Sequence, residues 1–232
     1  MCIRDRLNSL RDGMPRETIS VWDMTQMGYY SRAAFKTYNT STYFDSGYSG
    51  NLGWAFPTAI GAKVAKPDTP VVSVSGDGGF MYNVQELSTA VKYGINIVGV
   101  IFNDGYYGNV RRDLELDWGG DYETSFVNPD FAKMAETYGA KGITVNDPTK
   151  VNEAIEEAIA AKKPTLIDVN MIDTNEVPRP FAGRAPWTLP HDELLDVFVE
   201  AGGQAGFPLT NDFNGKNQEG FSRYEHTMAD TK

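Results

Sequence analysis

The chain has 232 residues, 41% of them hydrophobic, which is enough for one sizeable core with appendages. Its net charge of -10 argues against the clustered Lys and Arg that a nucleic acid or an anionic membrane surface requires. A single cysteine, Cys2, excludes an intramolecular disulfide and a thiolate metal cluster, and neither a membrane-length apolar run nor a signal-peptide core is present, so a reducing, cytoplasmic setting is expected.

Met1-Cys2-Ile3-Arg4-Asp5-Arg6 fits no targeting pattern and reads like translated adapter sequence, so residues 1–6 are set apart as an unrelated leader. Leu7 and Leu10 then stand at helical spacing before Gly13 and predict a short helix at most. Thr18 to Trp22 is the first strand, ending at Asp23. Met24 to Phe35 reads as a helix whose tyrosines pack into the core. Tyr43 to Trp54, YFDSGYSGNLGW, is rich in turn formers and predicts a loop ahead of a helix over 55–66. Within it, Leu52 is either a core residue under the loop or a residue facing a ligand.

The stretch from Val71 to Gly108 is the most informative. Val71 to Ser75 is a β-branched run suited to a buried strand, and Gly76-Asp77-Gly78-Gly79 predicts a tight reversal after it. A helix follows, capped by Asn83 with Glu86 three positions on, and Val84, Leu87, Ala90 and Val91 share one face. Ile95 to Phe102 is the next strand, ending on Asn103-Asp104-Gly105. Two such strand ends meet at one edge of a parallel sheet, the place where open α/β folds bind ligands. The glycines let backbone N–H groups approach a phosphate, a helix N-terminus adds partial positive charge, and Asp77 and Asn103 supply the hard oxygens that magnesium prefers. A dinucleotide fingerprint would need glycine at position 81, where Met81 stands, and no Gly-Lys-Ser/Thr triplet follows any glycine turn. A nicotinamide- or flavin-dependent oxidoreductase fragment nevertheless stays open, as does a non-catalytic interaction fragment in which the GDG turn is structural.

Residues 104–126 are long, aromatic and charged, with Gly108, Gly119 and Gly120 as hinges, and predict a lid or binding loop. Arg111 and Arg112 there are either a clamp for a substrate carboxylate or solvated surface. Asn128-Pro129 predicts a helix cap with proline at the first helical position, and Phe131, Met134, Ala135 and Tyr138 give a helical face ended by Gly139. Lys141 to Val145 is a strand, Asp147-Pro148 caps a second helix carrying Val151, Ala154, Ile155, Ala158 and Ile159, and Thr165 to Val169 is the last strand. Strands alternating with helices at this rhythm predict an α/β fold, a three-layer doubly wound parallel sheet. Residues 175–190 hold four prolines and read as a linker or domain edge.

With those residues in place, Gly76-Asp77-Gly78, twenty-four intervening residues and Asn103 resemble the cofactor signature of thiamine diphosphate-dependent enzymes, nearest the acetolactate synthase and pyruvate decarboxylase branch. The resemblance runs over 7–190 and implies the thiamine diphosphate-binding fold, specifically its C-terminal diphosphate-binding domain. It implies that Asp77, the Asn103 side chain and the Gly105 carbonyl bind Mg²⁺, and that Gly76, Gly78 and Gly79 line the diphosphate. It further implies that the backbone at Gly50 grips the aminopyrimidine, that Leu52 wedges beneath the cofactor, and that Gln26 flanks the substrate end. Members often carry two asparagines where this chain has Phe102-Asn103, a departure that spares the ligand position.

The implied reaction cleaves or forms a C–C bond next to the carbonyl of a small 2-oxo acid, in a homodimer or homotetramer. The glutamate that activates the cofactor belongs to a separate N-terminal domain of a partner subunit in such enzymes, and no glutamate here takes that role. The chain is therefore expected to be an incomplete half-site, inactive alone. Residues 191–232, through AGFPLTNDFNGKNQEGF, resemble a fragment of the glucose-methanol-choline oxidoreductases, which predicts a tail of foreign origin. His191 and His226 both lie in that tail and are assigned no catalytic role.

Overall fold

The structure is a computed structural model that describes residues 3–47, 50–171 and 204. The chain divides into two units, Met1–Pro180 and Phe181–Lys232. All elements named below lie in the first; the second contributes only Gln204 to the described residues, and the tail assigned to 191–232 otherwise falls outside them.

Six strands form one wholly parallel sheet: β1 (Ile19–Trp22), β2 (Tyr43–Asp45), β3 (Val71–Gly76), β4 (Val98–Asn103), β5 (Lys141–Val145) and β6 (Thr165–Asn170), in the spatial order β2-β1-β3-β4-β6-β5. The expected doubly wound α/β architecture is present. β3 and β4 are apolar on both faces because helices cover both. Successive side chains alternate between two cores. Val72, Val74, Val98, Val100 and Phe102 pack with Leu7, Leu10, Met27, Val151 and Ile155 on one face. Val71 and Ile101 pack with Phe56, Phe80, Leu87, Phe131 and Leu166 on the other.

The helices that supply these residues are α1 (Ile3–Asp12), α2 (Gln26–Ala34), α3 (Ala55–Ala65), α4 (Asp77–Met81), α5 (Glu86–Lys92), α6 (Gly108–Trp118), α7 (Phe131–Thr137) and α8 (Val151–Ala160). α1 begins at Ile3, inside the stretch set apart as a leader, and Leu7 and Leu10 are fully buried against α8 and the sheet. The reading of a short helix at most thus underestimates an element that covers one end of a core.

Because β1 leads into α2 on one face and β3 leads into α4 and α5 on the other, the winding reverses between these two strands. A crevice opens at their carboxyl ends. It holds the site.

Four local expectations are corrected. Tyr43–Asp45 is an edge strand paired with β1, not loop, since Tyr43 stacks on Trp22 at 6.1 Å between ring centroids. Residues 104–126 contain helix α6, which buries no side chain. An Arg111–Glu115 pair at 2.9 Å one turn apart supports it, and Gly119 in a left-handed conformation ends it. Asn83 does not cap α5; its amide instead donates to the Gly53 carbonyl at 2.7 Å. The cap of α7 is Asp130, whose carboxylate accepts from the Lys133 N–H at 2.9 Å, and this frees Asn128 for another role.

Candidate functional site

Three strand ends build the crevice. From the end of β1 come Met24, Thr25 and Gln26, from β3 the run Gly76 to Gly79, and from β4 Asp104, Tyr106 and Tyr107. Together with Gly50 and Leu52 they enclose a cavity of about 180 Å³.

Asp77 is its electrostatic centre. The side chain is buried, and every partner seen at its carboxylate is a neutral donor. Oδ1 accepts the Gly78 N–H at 2.8 Å; Oδ2 accepts Gly105 N–H at 2.7 Å, Asp104 N–H at 3.1 Å and the Asn128 amide at 2.6 Å. Burial pushes its pKa up, and those donors pull it partly back. Asp104, beside it, is pushed up to about 6 by burial and by the Asp77 charge. Negative charge is thus concentrated where the described donors only partly offset it, the setting into which a cation fits.

Asn103, at the end of β4, faces the same point. Its Oδ1 accepts from the Asn128 amide at 2.8 Å, while its Nδ2 donates to Asp168 Oδ1 at 3.1 Å. Gly105, with φ +75°, turns its own N–H to Asp77 and receives Phe126 N–H at its carbonyl, 2.9 Å away. The available ligands are therefore a carboxylate, an amide oxygen and a carbonyl. That all-oxygen set suits a hard divalent cation such as magnesium. Among the described residues no cluster of three or more His, Cys, Asp or Glu offers a different metal site.

The glycine run lies close to its neighbours. A Cβ on Gly78 would stand 2.7 Å from the Tyr107 ring and 3.1 Å from Phe126, two rings packed 4.8 Å apart. One on Gly79 would lie 3.0 Å from Asp23 Oδ2 and 3.5 Å from Leu52. Glycine at these two positions is thus what lets the Tyr107 and Phe126 rings and the Asp23 carboxylate pack directly on the turn. The helix expected after the turn, capped by Asn83, is preceded by the five-residue α4, which starts at Asp77 itself, so the dipole at the turn is small and individual N–H groups matter more.

The second wall is held by Asp23. Its carboxylate accepts Gly53 N–H at 2.9 and 3.1 Å and Met24 N–H at 2.9 Å, while Asn83 holds the Gly53 carbonyl. Gly53 sits at φ +80°, and a Cβ there would come 2.7 Å from Tyr82 Cβ, so only glycine fits this clamp. The loop it fixes carries Gly50 and Leu52. Leu52 is 39% exposed and faces the cavity, which removes the reading as a core residue.

Gln26 also lines the cavity, against Gly108. Arg111 and Arg112 do not reach it as a clamp: Arg111 pairs with Glu115 and Asp121 and lies over Tyr106, and Arg112 pairs with Asp113. Asn128, Asp168 and Asp23 escaped sequence reasoning. Only Asp23 left a signal, as an acidic residue at a strand's carboxyl end.

Comparison with known proteins agrees with this geometry. The family described as "Thiamine pyrophosphate enzyme, C-terminal TPP binding domain" matches residues 23–169. A probable acetolactate synthase large subunit of Methanococcus aeolicus is 38% identical over 177 residues, covering 72% of this chain and 28% of that protein. A 2-hydroxyacyl-CoA lyase of Arabidopsis thaliana is 38% identical over 156 residues, covering 65% and 26%. Among solved structures, the thiamine diphosphate-dependent 4-hydroxybenzoylformate decarboxylase of Rhodococcus jostii superposes with a TM-score of 0.68 at 31% identity, covering 74% of this chain and 33% of that one. The chain thus spans under a third of the length of these curated relatives.

Proposed function

The chain belongs to the thiamine pyrophosphate enzyme family, matching its C-terminal cofactor-binding domain, and from this premise we propose that it forms the diphosphate- and Mg²⁺-binding half of an acetolactate synthase-like active site. One observation carries the proposal: the Asp77 carboxylate and the Asn103 amide oxygen converge on a single point, both within 2.8 Å of the Asn128 nitrogen, at the reversal of winding between β1 and β3.

In this reading Asp77, Asn103 and the Gly105 carbonyl hold the cation. The backbone of Gly76, Gly78 and Gly79 receives the diphosphate, the backbone at Gly50 hydrogen-bonds the aminopyrimidine, and Leu52 supports the cofactor from below. When bound, thiamine diphosphate supplies the carbon nucleophile and electron sink for breaking or forming a C–C bond beside a carbonyl. The protein's own work is to bind, orient and exclude water. Among the described residues, those lining the cavity include Asp77 and Asp104 but no glutamate; in keeping with the family resemblance, the glutamate that activates the cofactor is assigned to another domain, across a homodimer or homotetramer interface.

The whole enzyme then acts on a 2-oxo acid in the cytoplasm, with synthase, decarboxylase and lyase outcomes matching the names of its relatives. Among the described residues no helix is long and apolar enough to cross a membrane. Residues 7–190 are assigned to this domain, and residues 191–232 are read as a separate oxidoreductase-like tail.

Thermal unfolding of the chain across a titration of thiamine diphosphate with Mg²⁺, beside Asp77→Ala, tests the proposal. A ligand that binds only the native state raises its stability, by about 2.7 kcal/mol at a hundredfold excess over Kd. The expected result is a saturable, metal-dependent stabilisation that Asp77→Ala abolishes. Equal stabilisation of the variant would overturn the assignment.

A further inference from the structure

We propose that the side-chain amide of Asn128 is an internal stand-in for the divalent cation: it holds the Asp77 and Asn103 oxygens together at the metal position and is displaced when the cation binds. The inference rests on the cation site proposed above. Asn128 Nδ2 lies 2.6 Å from Asp77 Oδ2 and 2.8 Å from Asn103 Oδ1, one hydrogen directed to each oxygen. A magnesium ion binding both oxygens needs roughly 2.0–2.1 Å to each. The amide nitrogen already occupies both oxygens, and Asp77 Oδ2 accepts two further N–H groups, so nitrogen and ion compete for the same acceptors.

The chemistry also excludes Asn128 as a ligand in its present orientation. Turning its amide over in the absence of an ion would set an oxygen against the Asp77 carboxylate and the Asn103 carbonyl oxygen, three acceptors with no donor among them, an arrangement that only a bound cation could hold together. With the amide removed and no ion present, Asp77 Oδ2 keeps the N–H groups of Asp104 and Gly105. Asn103 Oδ1 then loses the donor that the structure shows for it.

The position of Asn128 gives its displacement a consequence. Two residues before it, Phe126 donates its N–H to the Gly105 carbonyl and packs its ring with Tyr107 over Gly78. The segment that supplies the stand-in therefore also rests on a proposed metal ligand and on the glycine proposed to meet the diphosphate. Withdrawal of the amide loosens that cover.

The test titrates Mn²⁺ into the full chain, with and without thiamine diphosphate, and reads free Mn²⁺ by electron paramagnetic resonance for the wild type, Asn128→Ala, Asn128→Asp and Asp77→Ala. Unfolding of each in EDTA is measured alongside. Asn128→Ala is expected to unfold at a lower temperature in EDTA yet to bind Mn²⁺ about tenfold more tightly, since the competing donor is gone. Asn128→Asp sets a carboxylate against Asp77, so it should be still less stable in EDTA and recover more on adding Mn²⁺; it carries the test if the alanine variant does not fold. Weaker Mn²⁺ binding by Asn128→Ala would make Asn128 a ligand, and unchanged binding a bystander; either overturns the stand-in. If the wild type binds Mn²⁺ in a way that Asp77→Ala abolishes, such a result sinks this inference alone. If neither the wild type nor the Asn128 variants bind Mn²⁺, the cation site fails and the stand-in with it.

Discussion

Asp168 Oδ1 accepts the Asn103 amide N–H at 3.1 Å, and this bond determines which end of the Asn103 side chain faces Asp77. Asp168 lies on β6, in register with Ile101 of the neighbouring β4, and its other oxygen accepts Phe131 N–H at 3.3 Å. A buried carboxylate with two donors therefore sits behind a proposed metal ligand and holds its oxygen forward.

Replacing that carboxylate should reorient the ligand. In Asp168→Ala the Asn103 amide and the Phe131 N–H both lose this acceptor, at a cost of about 1–3 kcal/mol for a buried group left unsatisfied. The Asn103 side chain is then free to turn its nitrogen toward Asp77. Mg²⁺ affinity in the presence of thiamine diphosphate should fall roughly tenfold or more, the usual effect of losing a group that orients a metal ligand. Calorimetric titration measures it, and unaltered affinity in a folded variant would remove the orienting role.

Gly78→Ala should damage the floor of the crevice. The added methyl meets Tyr107 at 2.7 Å, so that ring must shift, and Phe126 at 3.1 Å, which must give by a few tenths of an ångström. Over-packing of this kind typically costs about 1–3 kcal/mol. A second substitution, Tyr107→Ala, should restore part of the stability, because it removes the nearer obstacle. Urea unfolding of the two single variants and the double variant gives the coupling; strictly additive losses would mean that the clash is relieved elsewhere.

Phe80 anchors the face of the sheet beneath the same turn. It is fully buried and meets Phe56 edge-on at 5.1 Å and Phe131 edge-on at 5.8 Å. Phe80→Ala should cost about 3–5 kcal/mol, and Phe80→Leu much less. Because α4 holds both Phe80 and Asp77, the alanine variant should also weaken cofactor-dependent stabilisation. Comparing urea midpoints with and without Mg²⁺ and thiamine diphosphate separates the two effects; an alanine variant that lost stability but kept the full ligand-dependent gain would show that the cavity under α4 does not reach Asp77.

What the sequence revealed and what it hid follow one division. β3 and β4 were legible because strands buried on both faces are written as continuous β-branched runs, and Asp77 and Asn103 stand out at their ends. α6 was hidden because it buries nothing, so its charged residues carry no apolar period. β2 was hidden among turn formers; its pairing comes from the Tyr43 contact with Trp22, which no local pattern records. Asn128 shows the limit most clearly. Asn-Pro before an apolar face is a locally sound cap, yet Asp130 takes that role and Asn128 reaches across 51 residues of sequence to Asp77. Such long-range partners depend on the sheet order and cannot be seen in spacing.

Asp23 predicts a pH dependence. Its carboxyl is pushed above the ordinary 3.8 by burial first, and the N–H groups of Met24, Gly53 and Trp54 draw it partly back. Between the unfolded value and the raised folded value the native chain holds more protons than the unfolded one, so stability falls as pH rises through that window. Above it the charged form carries a constant penalty, and below the unfolded value the effect vanishes. Lowering the pH from about 7 into the window should therefore stabilise the cofactor-free chain, and Asp77, Asp104 and Asp168, shifted the same way, add to the slope. Asp23→Asn isolates its share. The variant should be less stable at neutral pH, because an amide offers one oxygen where two now serve Gly53 and Met24, but its stability should rise less on acidification. Urea midpoints for both proteins from neutral pH down to the ordinary carboxylate range near 3.8 supply the slopes. Parallel slopes would mean that Asp23 does not change its protonation in this range and acts only as the clamp on Gly53.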